Sequence, residues 1–149
     1  MIQLVRTDSG NPDFRNLVKE LDTDLAIRDG DDHAFFAQYN KIDMIKHVVV
    51  AYSNNIPCGC GAIKQYEPGI MEVKRMYVPP AERRGGIASS VLKELEQWAK
   101  ELGYDKCILE TGHKQPEAIQ LYTHNSYKVI PNYGQYTDVP LSVCFEKVL

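Results

Sequence analysis

The chain has no stretch approaching the ~18 consecutive apolar residues that a membrane-crossing helix requires. Its opening residues, MIQLVRTDSG, hold too short an apolar run for a secretory signal. Neither a spanning segment nor an export address is expected, so the cytoplasm is the default location. A basic excess is missing too: 17 Lys and Arg stand against 20 Asp and Glu, a formal net charge of −3 at pH 7. That argues against a broad surface for nucleic acid. Cysteine is sparse, with four residues, Cys58, Cys60, Cys107 and Cys144. The C-x-C pair has no second pair and no His at zinc spacing, so no metal site is expected, and buried, reduced thiols are. His33, His47, His113 and His124 also lack ligand spacing and are expected on the surface or in structural hydrogen bonds. No G-x-x-x-x-G-K-[ST] occurs and no glycines fit G-x-G-x-x-G, which excludes a P-loop and a dinucleotide fingerprint.

What is present is the material of one globular domain spanning residues 1–149, with 44% apolar and 25% charged residues. A chain of this length builds a core without disulfides or a structural metal. Residues 2–7 read as a strand. Asn11 and Pro12 open a helix carrying Phe14, Leu17, Val18 and Leu21 at helical spacing. Residues 22–32 are acidic and read as a loop, after which Asp31 or Asp32 caps a short second helix with Ala34, Phe35, Phe36 and Tyr39. Three strands follow, at 47–52, 56–65 and 70–78, separated by turns at 53–55 and 67–69 and ended by Pro79 and Pro80. The strongest helix begins after Gly86, with Ile87, Val91, Leu95, Trp98 and Leu102 on one stripe, and Gly103 terminates it. A strand at 106–110, a helix from Pro116 to about His124 and two strands at 127–130 and 141–148 complete the order β-α-α-β-β-β-α-β-α-β-β. The fold class is mixed α/β, a sheet with helices packed on it.

The stretch Arg83-Arg84-Gly85-Gly86-Ile87-Ala88 puts two guanidinium groups and two glycines at the first turn of a helix that follows a strand. The first amides of a helix have no internal partner and carry partial positive charge, so they attract phosphate. Glycine lets an anion approach the backbone, and arginine adds charge-assisted hydrogen bonds. The site suits a diphosphate; by these residues alone it is equally a solvated turn.

Strand, signature, helix, strand and helix in this order resemble the GNAT N-acetyltransferase superfamily, whose signature is [Q/R]-x-x-G-x-[G/A]. Arg83, Gly86 and Ala88 match it, directly after the strand ending Met76-Tyr77-Val78-Pro79. Leu109-Glu110-Thr111 and Glu117-Ala118-Ile119-Gln120-Leu121-Tyr122 are similar to the strand and helix beyond it. The resemblance implies a mostly antiparallel sheet flanked by helices and acetyl-CoA as cofactor. Its pyrophosphate would rest on the amides of residues 84–89, including those of Gly85, Gly86, Ile87, Ala88 and Ser89, with Arg83 and Arg84 nearby. The pantetheine arm would run along the strand at Met76, Tyr77 and Val78, where Pro79 and Pro80 leave backbone open to a ligand. Gln115 stands where the family often has an Asn that orients the cofactor, and Ser126-Tyr127 where it often has Gly-Phe.

Acetyl transfer from a thioester to an amine needs a neutral amine, a stabilised oxyanion and a proton for the departing thiolate. The resemblance places Tyr122 beside the sulfur as that proton donor; the alternative is a half-buried tyrosine satisfied by its neighbours. Glu72, at the position where some relatives carry a catalytic glutamate, is the candidate base. By strand parity it shares a face with Lys74, Met76 and Val78, which instead suggests an exposed charge pair with Lys74, and then water relays the proton or the amine binds neutral. The oxyanion would meet amides near Met76 or Tyr77. A Cys107 nucleophile has no neighbouring feature that lowers its pKa.

The acceptor, a small-molecule or peptide amine, is expected near residues 25–39 and 132–136. Asp24, Asp29, Asp31 and Asp32 either favour a cationic acceptor or form a solvated loop. Tyr133 and Tyr136 either wall a pocket or cover the sheet. The function expected is amine acetylation by direct attack on the bound thioester. The alternative is a catalytically inactive module of the same fold that binds or senses CoA. A homodimer stays open.

Overall fold

Asn11 starts the first helix: its Oδ1 accepts the amides of Asp13 at 2.8 Å and Phe14 at 3.0 Å, two donors that a helix start leaves without internal partners. In the computed structural model, which describes residues 1–29 and 44–149, this helix is α1 (Pro12–Asp29), preceded by β1 (Ile2–Thr7). α1 runs further than its acidic sequence suggests. The stretch beginning at Asp22, expected as a loop, stays helical because Leu21 and Leu25 prolong the stripe of Phe14, Leu17 and Val18, and all five are buried. The expected second helix, with Asp31, Asp32, His33, Phe35 and Tyr39, lies outside the described residues.

A meander of β2 (His47–Ser53), β3 (Ile56–Glu67) and β4 (Ile70–Tyr77) comes next. Its first turn works because Asn54 and Asn55, at φ 51 and φ 66, both enter the left-handed region that a two-residue hairpin turn requires. Then come α2 (Ile87–Glu101), β5 (Lys106–Gly112), α3 (Pro116–His124), β6 (Lys128–Ile130) and β7 (Ser142–Val148). The strands form one sheet in the order β1-β2-β3-β4-β5-β7-β6. Every neighbouring pair is antiparallel except β4 and β5. This is the mixed, mostly antiparallel α/β sheet expected. Among the described residues no helix is long and apolar enough to cross a membrane.

The sheet is buried on both faces. α1 covers one, packing Phe14 and Val18 on Val48, Val50, Cys60 and Ala62. α2 and α3 cover the other, over Val49, Ile63, Leu109 and Phe145. α2 sits close to β3 because Gly59 and Gly61 have no side chains: a Cβ at Gly59 would fall 2.8 Å from Ile87 Cγ2, and one at Gly61 2.9 Å from Leu95 Cδ1. These two contacts set the height of α2 above the sheet. The buried stripe of α2 is Ile87, Val91, Leu92, Leu95 and Ala99. Trp98 and Leu102, expected on it, fall to one side; Trp98 packs edge-on against His47, with ring centroids 4.8 Å apart, and under Arg6, while Leu102 is 43% exposed. Glu96 is buried on the opposite flank, toward β7, accepting Tyr127 Oη at 2.9 Å and Lys147 Nζ at 2.9 Å. All four cysteines are buried thiols.

The two ends of the expected stripe differ accordingly. Leu95→Ala lowers unfolding free energy by about 2–5 kcal/mol in urea titration, whereas Leu102→Ala changes it by about 0.5 kcal/mol or less.

Candidate active site

β4 and β5 are hydrogen-bonded neighbours over only three residue pairs, Ile70 with Lys106, Met71 with Cys107 and Glu72 with Ile108. Beyond them the strands part, although β4 continues to Tyr77 and β5 to Gly112. The β5-facing edge of β4 is therefore open from Val73 onward, well before the prolines that were expected to open it. The cause is a bulge. Cys60 pairs with Tyr77 and Ala62 with Lys74, so β4 spends one residue more than β3, and Arg75 takes φ 60 to fit it. The extra residue bends the strand, increases its twist and resets which face each side chain meets. Met71, Val73 and Val78 enter the core under α2, Met76 packs against that core, and Tyr77 joins the core under α1. Glu72 thus does not share a face with Met76 and Val78, as an unbroken alternation would have it.

A groove of about 1300 Å³ fills the parting. Its floor is Met76, Tyr77 and Val78; the start of α2 forms one wall and α3 the other, with Gln115 and Tyr122 at its inner end. Gly86, the residue before α2, has φ 79, offers no side-chain cap, and has no protein atom within 4 Å of where a Cβ would be. The first intrahelical bond runs from Ser90 N to Gly86 O at 3.0 Å, so the amides of Ile87, Ala88 and Ser89 precede it. Of the expected cofactor residues, only Gly85 is absent from the groove wall.

Arg83 and Arg84 behave differently. Arg84 is exposed at the groove, at φ 72. Arg83 is already engaged: its Nε donates to Val78 O at 2.8 Å, its Nη2 lies 3.7 Å from Asp24 Oδ2, and its guanidinium stands 5.9 Å from the Tyr77 ring. It braces the loop before α2 against the strand end and the α1 helix. Asn125 was not identified from the sequence and has no motif that reveals it. Its Nδ2 donates to Ser89 Oγ at 3.1 Å and to Leu121 O at 2.8 Å, tying the two groove walls together.

Tyr122 is 6% exposed, its ring 5.8 Å from that of Tyr127 and 5.9 Å from that of Phe145. Burial, with the charge of Glu110 second, pushes its phenol well above the ordinary tyrosine value. It stays a proton-bearing donor at neutral pH. Glu72 is not an exposed charge pair. It is 9% exposed, Oε2 accepts Tyr133 Oη at 2.6 Å, and Oε1 lies 3.5 Å from Lys74 Nζ. Tyr133 and Tyr136 do not line the groove; they cover the sheet, edge to face with centroids 5.7 Å apart.

A second, smaller cavity of about 110 Å³ opens on the α1 face and meets the groove at Leu21, Met76, Gln115, Ala118 and Tyr122. Glu110 lines it, held by a 2.6 Å hydrogen bond from Ser142 Oγ. Only the strand parting reveals this residue, although Leu109-Glu110-Thr111 was noted as strand. Cys107, whose thiol burial pushes up to about 12, is no nucleophile at neutral pH. Among the described residues no group of three or more His, Cys, Asp or Glu could hold a metal ion.

A strand edge left open beside an uncapped helix start, with a buried phenol where the two cavities meet, offers unpaired backbone groups that could receive a long phosphate-bearing ligand. The chain belongs to the acetyltransferase (GNAT) family, whose model matches residues 12–127, and acetyl-CoA is that family's acyl donor. It is 38% identical over 102 residues to an IAA acetyltransferase of Azospirillum brasilense, covering 68% of this chain and 67% of that protein. It is 30% identical over 101 residues to the uncharacterised N-acetyltransferase YsnE of Bacillus subtilis, covering 66% and 67%. Among solved structures, a candidate acyl-CoA N-acyltransferase from Klebsiella pneumoniae superposes with TM-score 0.82 at 28% identity, covering 100% of this chain and 98% of that one. A GNAT acetyltransferase from Elizabethkingia anophelis with acetyl-CoA bound shares the fold, at TM-score 0.70, 18% identity and coverage of 99% and 98%.

The buried phenols leave a signature in alkali. Above pH about 10 the unfolded chain loses tyrosine protons that Tyr122, Tyr127 and Tyr133 retain when folded. The stability they contribute is complete below that pH and falls as pH rises past it. Tyr122→Phe reduces the steepness of this fall by up to about 1.4 kcal/mol per pH unit, measured by denaturant titration between pH 9 and 11.

Proposed function

We propose that residues 1–149 act as one acetyltransferase domain that moves an acetyl group from acetyl-CoA to a primary amine by direct attack within a ternary complex. The observation that carries this reading is the continuity of the groove from the open amides of α2 to Tyr122. Bound there, acetyl-CoA would supply an activated acyl group whose transfer to the amine releases a thiol. The amides of Ile87, Ala88 and Ser89 receive the pyrophosphate, reached without obstruction over Gly86, and Arg84 adds charge from outside. Arg83 supports the site by bracing its loop, its Nε being committed to Val78 O. The open edge of β4 would hydrogen-bond the pantetheine amides as a neighbouring strand does, and amides near Met76 and Tyr77 would serve the acyl oxygen.

Tyr122 Oη donates to the departing sulfur. Because burial strengthens its hold on the proton, it acts as a relay, passing its proton to sulfur as it receives one from the attacking nitrogen. Glu110, beside Tyr122 in the adjoining cavity, takes the base role first assigned to Glu72 and accepts the proton of an incoming ammonium. Glu72, with one oxygen held by Tyr133 and the other facing Lys74, fixes the strand and its cover.

Thiol release across a panel of amines tests this. Tyr122→Phe and Glu110→Gln each lower kcat at least tenfold with acetyl-CoA affinity unchanged within about threefold in calorimetry, a loss of about 1.4 kcal/mol or more of transition-state stabilisation. Tight acetyl-CoA binding without acceptor-dependent thiol release marks a binding module instead. An unchanged kcat and pH profile in Tyr122→Phe removes the relay.

A further inference from the structure

α3 is the less secured wall of the groove. It has 9 residues, and Tyr122 is its only buried side chain. It scarcely touches α2: both helices lean on the sheet, and the groove lies between them. A helix so short and so lightly packed depends on what holds its ends. Past its last turn the chain reverses through Ser126, at φ 72, with Tyr127 N donating to Tyr122 O at 3.0 Å. Asn125 sits inside this reversal and is 7% exposed.

The Asn125 Nδ2 carries two hydrogens, and each has an acceptor: Leu121 O at 2.8 Å and, across on α2, Ser89 Oγ at 3.1 Å. The first bond grips the peptide unit that leads into Tyr122. The second grips a residue whose own amide is one of the open donors at the start of α2. Serine or aspartate in this place could not donate both bonds. One side chain therefore joins the anion-attracting end of the groove to the turn that carries the phenol.

A long ligand gains from two contact regions at once only when their separation matches its own length. Resting on the donor site described under the proposed function, we propose that Asn125 is a positioning residue for acetyl-CoA. It holds α3 at the distance from the start of α2 at which one molecule reaches the open amides and Tyr122 together. Without the tie α3 is free to shift, while the amides of Ile87, Ala88 and Ser89 stay where the packing of α2 over Gly59 and Gly61 puts them. The hold on the phosphate end then survives, and the gain from the pantetheine end is lost.

The test compares CoA with ADP, which shares its pyrophosphate and lacks the pantetheine arm, by calorimetry and ligand-observed NMR on the full chain. Asn125→Ala weakens CoA at least about tenfold and ADP by less than about twofold, a split that general loosening of the fold does not produce. Ser89→Ala, which keeps the backbone amide, has the same effect, and Ser89→Thr restores CoA binding. Because both changes cut one bond, the double variant binds CoA within about twofold of either single variant. Unchanged CoA affinity in Asn125→Ala overturns the inference. Equal losses for CoA and ADP, or losses that multiply in the double variant, overturn it as well. Should Asn125→Ala not fold, the Ser89 variants decide. Failure of the acetyltransferase reading has a different mark: CoA binds the unmodified protein but no amine brings thiol release, and the affinities compared here are read unchanged in such a module.

Discussion

The parting of β4 from β5 is the constraint on which the remaining geometry depends. Backbone groups in a sheet interior are normally paired by neighbouring strands, and an open edge in mid-sheet persists only where something else can use it. The pairing ends after Glu72 and Ile108, and the extra residue at Arg75 is what bends β4 away. The groove, the joining cavity and the placement of Tyr122 between them follow from that single added residue.

Close packing fixes the rest of the groove around this opening. Gly59 and Gly61 let α2 settle onto β3, which lowers Ile87 toward the strand end and presents the first amides of α2 beside it. Asn125 then fixes the distance from α2 to α3 through Ser89 and Leu121. Arg83, which the motif suggests as a phosphate ligand, commits its Nε–H to Val78 O and so stiffens the approach. In the proposed function, recognition of the donor would rest mainly on backbone, which tolerates wide sequence divergence.

Much of this was legible in the sequence because it depends on local chemistry. The hairpin turn at Asn54 and Asn55, the Asn11 cap and the α2 start at Gly86 each rest on residues adjacent in the chain. The motif at Arg83, Gly86 and Ala88 located the groove, and Tyr122 was placed at its inner end through the resemblance. The misreadings share one origin. α1 outran its expected end because buried leucines outweighed an acidic composition. Strand parity at Glu72 failed because alternation assumes an unbroken ladder, and the α2 stripe shifted because packing on β3 selected Leu92 and Ala99 over Trp98 and Leu102.

The sequence by itself determined the element order, the mixed sheet, the glycine start of α2 and the family to which the chain belongs, since these are written in spacing and turn chemistry over a few residues. Only the tertiary structure decided where the sheet opens and that Glu72 is tied to Tyr133. It alone set Glu110 beside Tyr122 and gathered Lys74 and Arg75 on one cavity wall. Those outcomes join residues far apart in the chain through strand register, and a one-residue bulge inverts register without leaving a mark in local composition.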